Sequence, residues 1–319
     1  MDIGLLAVAV LIGVVVGLTG MGGGALMTPA LVFFFNIPPL TAVSSDVVAS
    51  AAMKPAGSWV HIKNGTVNWK LVRLLMYGSV PAAFGGVLIA HAMGPGPEVQ
   101  SFVKHALGVV LIIASLGLGA RAYLRLREYA MNRDGRAAPL PRERPEVVPR
   151  PVPTIIVGVI GGLMVGLTSV GSGSLIIIAL MALYPMLKAN QLVGTDLVQA
   201  VPLVVAAAIA HLMFGDVDWS VTLPIIVGSV PGTYIGAQLS SRVSGGIVRR
   251  ALAMVLFVAG LKMIGVSNEV TLLAIVAVVV GGTLAWALIR RSLGFPFFIW
   301  QAKRARKAQQ ARDTEKEAS

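Results

Sequence analysis

Two stretches of the chain repeat one another, and this repeat limits the possible folds more than any other feature. Residues 13–26, GVVVGLTGMGGGAL, align without a gap on residues 162–175, GLMVGLTSVGSGSL, and eight of the fourteen positions are identical. After one inserted residue the match continues at an offset of 150, through Asp46 with Asp196, His61 with His211 and Trp69 with Trp219, to the motif GSVP at 78–81 and 228–231. The chain therefore contains two copies of one unit.

The two copies carry opposite charge in a matching loop. The segment KNGTVNWKLVR at 63–73 contains three cations, whereas FGDVDWS at 214–220 contains two aspartates and no cation. Because positive charge marks the cytoplasmic loops of membrane proteins, the two loops are predicted to face opposite sides of a membrane. Homologous halves of opposite orientation form an inverted repeat, an architecture associated with secondary transporters.

The composition agrees with a membrane protein. Hydrophobic residues make up 56% of the 319 positions and charged residues 13%, whereas soluble domains contain about 25% charged residues. We therefore predict an all-α integral membrane protein, a polytopic helical bundle of two inverted-topology repeats with glycine-broken helices. The net charge of +12 lies in loops and a tail beside apolar segments, where it meets anionic lipid headgroups and does not indicate nucleic-acid binding.

Apolar segments divide the chain into five regions. The predicted segments are 3–19, 24–36, 40–62, 70–92, 100–123, 153–168, 174–187, 190–213, 219–240, 246–264 and 269–290. The predicted regions are a first transmembrane repeat at 1–124, a basic, proline-rich cytoplasmic linker at 125–152, an inverted second repeat at 153–265, an extra transmembrane helix at 266–292 and a basic cytoplasmic tail at 293–319. The linker contains five prolines and should be mobile or extended. The short segments within 3–36 and 153–187 are either tilted spans or re-entrant pairs.

The cations also orient the chain. With the C-terminus in the cytoplasm, 23 of the 26 Lys and Arg residues lie on the cytoplasmic side or at its border. This satisfies the positive-inside rule. Five segments in the first half then make the second copy enter the membrane inverted, and the N-terminus is predicted to lie outside.

Each copy has a glycine-rich break between its first two segments, and these breaks are the strongest candidate binding site. Backbone that leaves helical geometry inside a bilayer must be buried in protein or line a watery cavity. The helix that starts after each break directs free N–H groups and a partial positive charge at it, and hydroxyls add neutral donors. We predict that a small anion binds between the two breaks. The predicted ligands are Thr19, Gly20, Met21, Gly22, Gly23, Gly24, Thr168, Ser169, Gly171, Ser172, Gly173 and Ser174.

Close helix packing is the other explanation of these glycines. Gly13 with Gly17 and Gly158 with Gly162 show the GxxxG spacing of packed membrane helices. The recurrence of the break in both copies, with hydroxyls attached, favours a ligand site. A soluble phosphate-binding loop is disfavoured because the flanking segments are too long and apolar for a βαβ unit.

Three charged residues within predicted spans are candidates for coupling or gating, together with two neighbouring hydroxyls. An acid inside a membrane costs roughly 2.5–3.5 kcal/mol and marks a functional site by default, so Asp46, Asp196 and their neighbours Ser45 and Thr195 are candidates. The alternative is that each pair caps a helix near the membrane surface. Lys54 has no matching cation in the second copy, and it either extends to the headgroups or faces the cavity and attracts anions.

The remaining polar residues do not indicate catalysis. His61 and His211 are expected to form hydrogen bonds near the membrane surface, and Trp69 and Trp219 to anchor helices there. The sequence shows no nucleophile–base pair and no cluster with metal-ligand spacing. An enzyme is therefore disfavoured, and no cofactor or metal is expected.

The motifs resemble those of the sulfite exporter TauE/SafE family. The resemblance rests on GLTGMGGGALMTPAL, SSDVVASA, HIKNGTVNWKL and GSVPAAFGG, with GLTSVGSGSLIIIAL, GTDLVQA, HLMFGDVDW and GSVPGTYIGAQLS in the second copy, and covers roughly residues 5–265. It implies a carrier that exports sulfite or small organosulfonates across a bacterial plasma (inner) membrane. The implied partners are a small anionic substrate and the lipid bilayer, with a homo-oligomer left open.

Two other classes of function remain open. An anion channel of the same fold would pass anions without saturable, gradient-coupled flux. A membrane scaffold would act through its basic linker and tail and would not need the glycine motifs.

Overall fold

The computed structural model describes six ranges of the chain, and within them all regular secondary structure is helical. The ranges are 2–19, 23–94, 96–133, 148–187, 189–239 and 245–293. The helices are α1 (Ile3–Thr19), α2 (Gly24–Phe34), α3 (Pro39–Lys63), α4 (Trp69–Ala92), α5 (Pro97–Arg133), α6 (Pro151–Thr168), α7 (Leu175–Leu183), α8 (Ala189–Phe214), α9 (Trp219–Leu239), α10 (Gly245–Met263) and α11 (Asn268–Ser292).

Every predicted apolar segment corresponds to one helix, and the all-α class of a membrane protein is confirmed. Within the described ranges, five helical stretches are long and apolar enough to cross a membrane: Trp69–Ala92, Pro97–Ala120, Pro151–Thr168, Gln191–Phe214 and Asn268–Ile289. The second helix of each copy is short, with 11 residues in α2 and 9 in α7. At 1.5 Å per residue these helices measure only about 17 Å and 14 Å, so neither can cross a hydrocarbon core of about 30 Å.

The chain divides into two compact units. One comprises Met1–Leu118 and Glu146–Asn268 and contains both copies of the repeat, and the other comprises Gly119–Pro145 and Glu269–Ser319. The second unit includes the C-terminal end of α5 and almost all of α11. The candidate site described below lies entirely in the first unit.

Helix α5 continues further than the sequence predicts. It ends at Arg133, so residues 125–133 are helical although the range 125–152 was predicted to be mobile or extended. All five prolines of that range lie at or after Pro139, and residues 125–133 contain neither proline nor glycine. The rest of the predicted linker up to residue 147 lies outside the described residues, as do the predicted tail from residue 294 and Lys188.

The two copies exchange helices in their packing. Helix α1 packs along α9, and α4 packs along α6. Since α1 matches α6 and α4 matches α9, each copy packs its first helix against the fourth helix of the other. The exchange is reciprocal, as a two-fold relation between the copies would require. One apolar core accordingly combines α1, α2 and α3 with α9.

The two oppositely charged loops lie at opposite ends of a helix pair. The loop after α3 lies at the N-terminal part of α8, where the Asn68 N–H donates to Thr195 Oγ1 (3.0 Å). The loop after α8 lies at the N-terminal part of α3, where the Asp218 N–H donates to Ser45 Oγ (3.2 Å). Helices α3 and α8 are therefore antiparallel neighbours. An inverted repeat would place the loops in this way, and that a membrane separates them stays a prediction.

Glycines lie at the exchanged helix contacts, as the GxxxG spacing indicates. A Cβ atom on Gly13 of α1 would lie 2.6 Å from the Ser229 carbonyl oxygen of α9, and Gly158 and Gly162 of α6 meet the backbone of Leu75 and Ser79 in the same way. Closely packed backbones of this kind are typical of membrane helix interfaces.

Two adjacent glycines of α4 allow a matched test of this packing. A Cβ on Gly86 would lie 2.8 Å from the Leu163 carbonyl oxygen, whereas a Cβ on Gly85 meets nothing within 4 Å. We expect Gly86→Ala to destabilise the protein by about 1–3 kcal/mol through overpacking, and Gly85→Ala to be neutral or stabilising by up to about 1 kcal/mol through helix propensity. Thermal unfolding of both variants in detergent measures the difference, and equal midpoints would contradict the packing arrangement.

The orientation is tested by labelling single cysteines, since the chain contains none. Asn64 follows α3 and Ser220 lies in the first turn of α9, and both are exposed. We expect an impermeant thiol reagent added outside intact cells to label Ser220→Cys, and to label Asn64→Cys only after permeabilisation. Labelling in detergent controls for reactivity. Equal labelling of both positions from outside would overturn the inverted orientation.

Candidate functional site

The buried charges of the chain come together at the glycine-rich breaks. Among the described side chains of Asp, Glu, Lys and Arg, those that are buried are Asp46, Lys54 and Asp196, with 2%, 4% and 0% of their surface exposed. Asp46 and Lys54 belong to α3 and Asp196 to α8. Each aspartate lies two turns inside its helix, so neither occupies the capping position of that helix.

Asp46 of the first copy binds the break of the second copy. Its Oδ2 accepts hydrogen bonds from Thr28 Oγ1 of α2 (2.8 Å) and from Ser169 Oγ (2.7 Å). Ser169 follows the end of α6 and has a positive φ of 60°, a backbone conformation that is uncommon for a residue other than glycine. The carboxylate of Asp46 thus holds a left-handed turn of the second break in place.

Asp196 binds the break of its own copy. Its Oδ2 accepts a hydrogen bond from the backbone N–H of Gly173 (2.5 Å), two residues before α7, and its Oδ1 accepts one from Gln199 Nε2 (3.0 Å). The carboxylate therefore lies at the N-terminal end of α7, where the helix dipole favours negative charge.

Lys54 points into the protein and not toward the membrane surface. Its Nζ donates to Ser172 Oγ in the second break (2.5 Å), and it interacts electrostatically with both Asp196 and Asp46. Lys54 therefore does not extend to the headgroups, and that it attracts anions stays a prediction. If all three groups are ionised, the cluster carries one net negative charge.

The two breaks also touch each other. A Cβ on Gly24, the first residue of α2, would lie 2.6 Å from Ser169 Oγ and even closer to the Ser169 carbonyl oxygen, so only a glycine fits there. Gly23 lies opposite Asp46, with Oδ1 about 4.0 Å from the position of its Cβ. The predicted ligands Gly20, Met21 and Gly22 lie outside the described residues.

The threonine hydroxyls of the breaks bind their own helices. Thr19 Oγ1 donates to the Val15 carbonyl oxygen (2.8 Å), and Thr168 Oγ1 donates to that of Met164 (2.6 Å), a common arrangement for Thr inside membrane helices. Ser174, in contrast, is buried and its hydroxyl has no partner among the described residues. Of these three hydroxyls, that of Ser174 therefore remains available for a further hydrogen bond.

The remaining candidates lie away from the breaks. Ser45 and Thr195 hold the loops at opposite ends of the α3–α8 pair, as described above. His211 is buried at the end of α8, where its Nδ1 accepts from Ser44 Oγ (2.9 Å) and its Nε2 donates to the Gly166 carbonyl oxygen (2.9 Å). The sequence placed this histidine near the membrane surface; its burial between helices α3 and α6 was not foreseen, since helix rotation cannot be read from one sequence.

A small pocket adjoins the charged cluster. It lies between α1, α2, α3 and α9. Its polar lining includes Asp46, Ser50 and Ser229, and its walls are apolar, with Met27 and Met53 among them. The sequence analysis did not single out Ser229, although it is the serine of the repeated GSVP motif. Within the described part of the chain, no three His, Asp or Glu side chains are grouped as metal ligands would be.

The cluster yields a prediction about stability. Replacing Lys54 by Met removes the buried cation and leaves two buried carboxylates without a counter-charge, which should cost about 3–5 kcal/mol. The second change Asp196→Asn should recover part of this loss, because contacting charges are not additive. Thermal unfolding of the two single variants and the double variant measures the coupling. Strictly additive losses would show that Lys54 and Asp196 do not interact.

Comparison with known proteins adds relatives of similar length. Residues 5–263 match the family described as Sulfite exporter TauE/SafE. The probable membrane transporter protein YjnA of Bacillus subtilis (strain 168) is 39% identical over 265 residues, which cover 83% of this chain and 100% of the relative. YdhB of the same organism, also named a probable membrane transporter protein, is 25% identical over 264 residues, 82% of this chain and 99% of the relative.

Another organism contains a similar protein. A probable membrane transporter protein of Xylella fastidiosa (strain 9a5c) is 26% identical over 259 residues, which cover 80% of this chain and 91% of the relative. No solved structure matches the chain.

Proposed function

The chain belongs to the sulfite exporter TauE/SafE family of membrane transporters, and from this premise we propose that it carries a small oxyanion, of the sulfite or organosulfonate class, across the bacterial plasma membrane. The proposed mechanism is alternating access around the two helix breaks. The proposed direction is export, with the N-terminus outside and the C-terminus in the cytoplasm.

The observation that carries this proposal is the buried ammonium group of Lys54 at the second break. Lys54 Nζ and Ser172 Oγ lie 2.5 Å apart next to the N-terminal end of α7. A buried cation, serine hydroxyls and the N-terminus of a helix are the groups that stabilise an anion in a low-dielectric site. Gly24 brings α2 of the first copy against the same break, so groups from both copies can reach one ligand.

The two aspartates give the site a reason to couple anion movement to protons. Asp46, Asp196 and Lys54 already sum to one negative charge when ionised, and an oxyanion would add at least one more. Uncompensated charge in a buried site is costly. Uptake of one proton with a singly charged anion returns the net charge of the site to its value without the anion. Asp46 and Asp196 are the groups that can bind this proton. We therefore include proton coupling in the proposal.

The exchanged helix contacts offer a surface for the movement. Helices α1 with α9 and α4 with α6 meet through glycines and backbone atoms. Two such contacts, one on each side of the site, allow one group of helices to slide or rock against the other while each stays packed. Alternating access in transporters with repeats proceeds in this way.

Flux through purified protein in proteoliposomes tests the proposal. Sulfite, sulfate, thiosulfate, sulfoacetate and acetate are supplied separately, with and without a pH gradient. We expect saturable flux of at least one sulfur oxyanion that a pH gradient accelerates. Flux that rises linearly with concentration would indicate a channel, and the absence of flux for every anion would refute oxyanion transport.

Neutral variants of the acids test the coupling. The double variant Asp46→Asn, Asp196→Asn should lose the acceleration by a pH gradient, because neither amide can bind a proton in this range. Glu98→Gln, at an exposed acid in the first turn of α5, serves as the control and should keep the acceleration. Unchanged pH-driven flux in the double variant would restrict both aspartates to a structural role.

A further inference from the structure

The pocket beside Asp46 has a counterpart in the second copy that is filled. Ala49, which lines the pocket, matches Gln199 at the offset of 150, and Ser229 matches Ser79. An aspartate and a serine therefore flank both matched positions. The position is occupied by the methyl group of Ala49 in the first copy and by the carboxamide of Gln199 in the second.

In the second copy the carboxamide satisfies both polar neighbours. Ser79 Oγ donates to Gln199 Oε1 (3.1 Å), and Gln199 Nε2 donates to Asp196 Oδ1 (3.0 Å). Gln199 is fully buried. Its amide therefore bridges the serine of one copy and the aspartate of the other, with its acceptor toward the hydroxyl and its donor toward the carboxylate.

In the first copy the same two neighbours lack that bridge. Ser229 is 2% exposed, and its hydroxyl has no hydrogen-bond partner among the described residues. Asp46 accepts from Thr28 and Ser169 through Oδ2, whereas its Oδ1 accepts no hydrogen bond from the described part of the chain. A buried hydroxyl without a hydrogen-bond partner is costly. Ser229 Oγ and Asp46 Oδ1 are therefore available to a bound ligand.

We propose that the pocket between α1, α2, α3 and α9 binds the polar head of a small ligand in the place that the Gln199 amide occupies in the second copy. The ligand accepts a hydrogen bond from Ser229 Oγ and donates one to Asp46 Oδ1. This inference rests on the proposed function and assigns it a subsite and a ligand class.

Ser229 Oγ donates a hydrogen bond and Asp46 Oδ1 accepts one, so the pocket selects ligands that have a hydrogen-bond donor next to an acceptor. A singly protonated oxyanion such as hydrogen sulfite has both, with its S–OH toward Asp46 and an S–O oxygen toward Ser229. A fully deprotonated oxyanion has acceptors only, so it fits beside Asp46 only when the carboxyl group of Asp46 itself carries the proton. The other walls, which include Ile12, Met27 and Met53, are apolar, and no cation is among the lining residues. Primary amides and sulfonamides satisfy the same requirement without charge.

A matched pair of serine variants tests the assignment in the full-length protein in detergent. Titration calorimetry measures the Kd for sulfite and, as a neutral probe, for methanesulfonamide. Ser229→Ala should raise the Kd for sulfite about 10- to 150-fold, which is the loss of one hydrogen bond to a charged group. The midpoint of thermal unfolding without ligand should not fall, because that hydroxyl has no partner to lose.

Ser79→Ala should show the opposite pattern. It removes the bond from Ser79 to Gln199 and leaves a buried amide oxygen unsatisfied, so the unfolding midpoint should fall by a few degrees. The Kd for both probes should stay unchanged. If Ser229→Ala and Ser79→Ala lowered the unfolding midpoint equally and neither changed the Kd for sulfite, the pocket would be only a packing defect.

Replacing the methyl group by the carboxamide gives a second, independent test. Ala49→Gln should abolish binding of both probes and raise the unfolding midpoint, since the new amide can bridge Ser229 and Asp46 as Gln199 bridges Ser79 and Asp196. Ala49→Leu should also block binding but should not raise the midpoint, because it fills space without hydrogen bonds. Sulfite binding of parental strength in Ala49→Gln would overturn the proposal even if Ser229→Ala failed to fold.

The outcomes separate this inference from the proposed function. Sulfite binding and transport that do not depend on Ser229 or Ala49 would overturn the subsite and leave oxyanion transport intact. Binding of methanesulfonamide that depends on Ser229, without binding of any oxyanion, would keep the subsite and refute oxyanion transport. The subsite is also refuted if the parent protein binds neither probe.

Discussion

Backbone that leaves helical geometry within a membrane must find its hydrogen-bond partners inside the protein, and this constraint explains where the polar side chains of the first unit lie. At the second break, the Gly173 N–H donates to Asp196, and the Val170 N–H donates to Thr168 Oγ1 (3.2 Å). Ser169, in the left-handed conformation, is tied to Asp46. The aspartates are thus structural partners of the break before any ligand arrives.

A buried carboxylate that stabilises a backbone turn creates a second requirement, because its charge must be compensated. Lys54 compensates one of the two negative charges of Asp46 and Asp196, and it also binds Ser172. The charge cluster consequently joins α3 of the first copy to the break of the second copy. Any change of charge at the cluster, by a proton or an anion, alters the bonds that hold the two copies in this arrangement. In a two-state transporter such bonds bias the equilibrium between states.

The sequence predicts the elements well and the site only in part. Helix boundaries follow from apolar runs that end at glycine, proline or charge, and α1 was predicted to the residue. The repeat and its loop charges predict two copies of opposite orientation, but they leave open whether Asp46 and Asp196 are buried, and they do not predict the exchange of helices. The contact between Lys54 and Ser172 joins residues that lie 118 positions apart, and it depends on how α3 is rotated about its axis. A single sequence does not contain that angle, so Ser229 and Gln199 were not recognised as partners of the pocket.

The differences between the copies, more than their similarities, make the site specific. Asp46 with Ser229 and Asp196 with Ser79 form two equivalent frames, by which we mean an aspartate of one copy facing a serine of the other. Two open frames would admit two oxyanions. The described residues contain only one buried Lys to compensate the negative charge of those ligands. The amide of Gln199 fills one frame, and Ala49 leaves the other without such an amide. The proposed subsite therefore predicts that each chain binds one oxyanion at a time, beside Asp46 of the first copy.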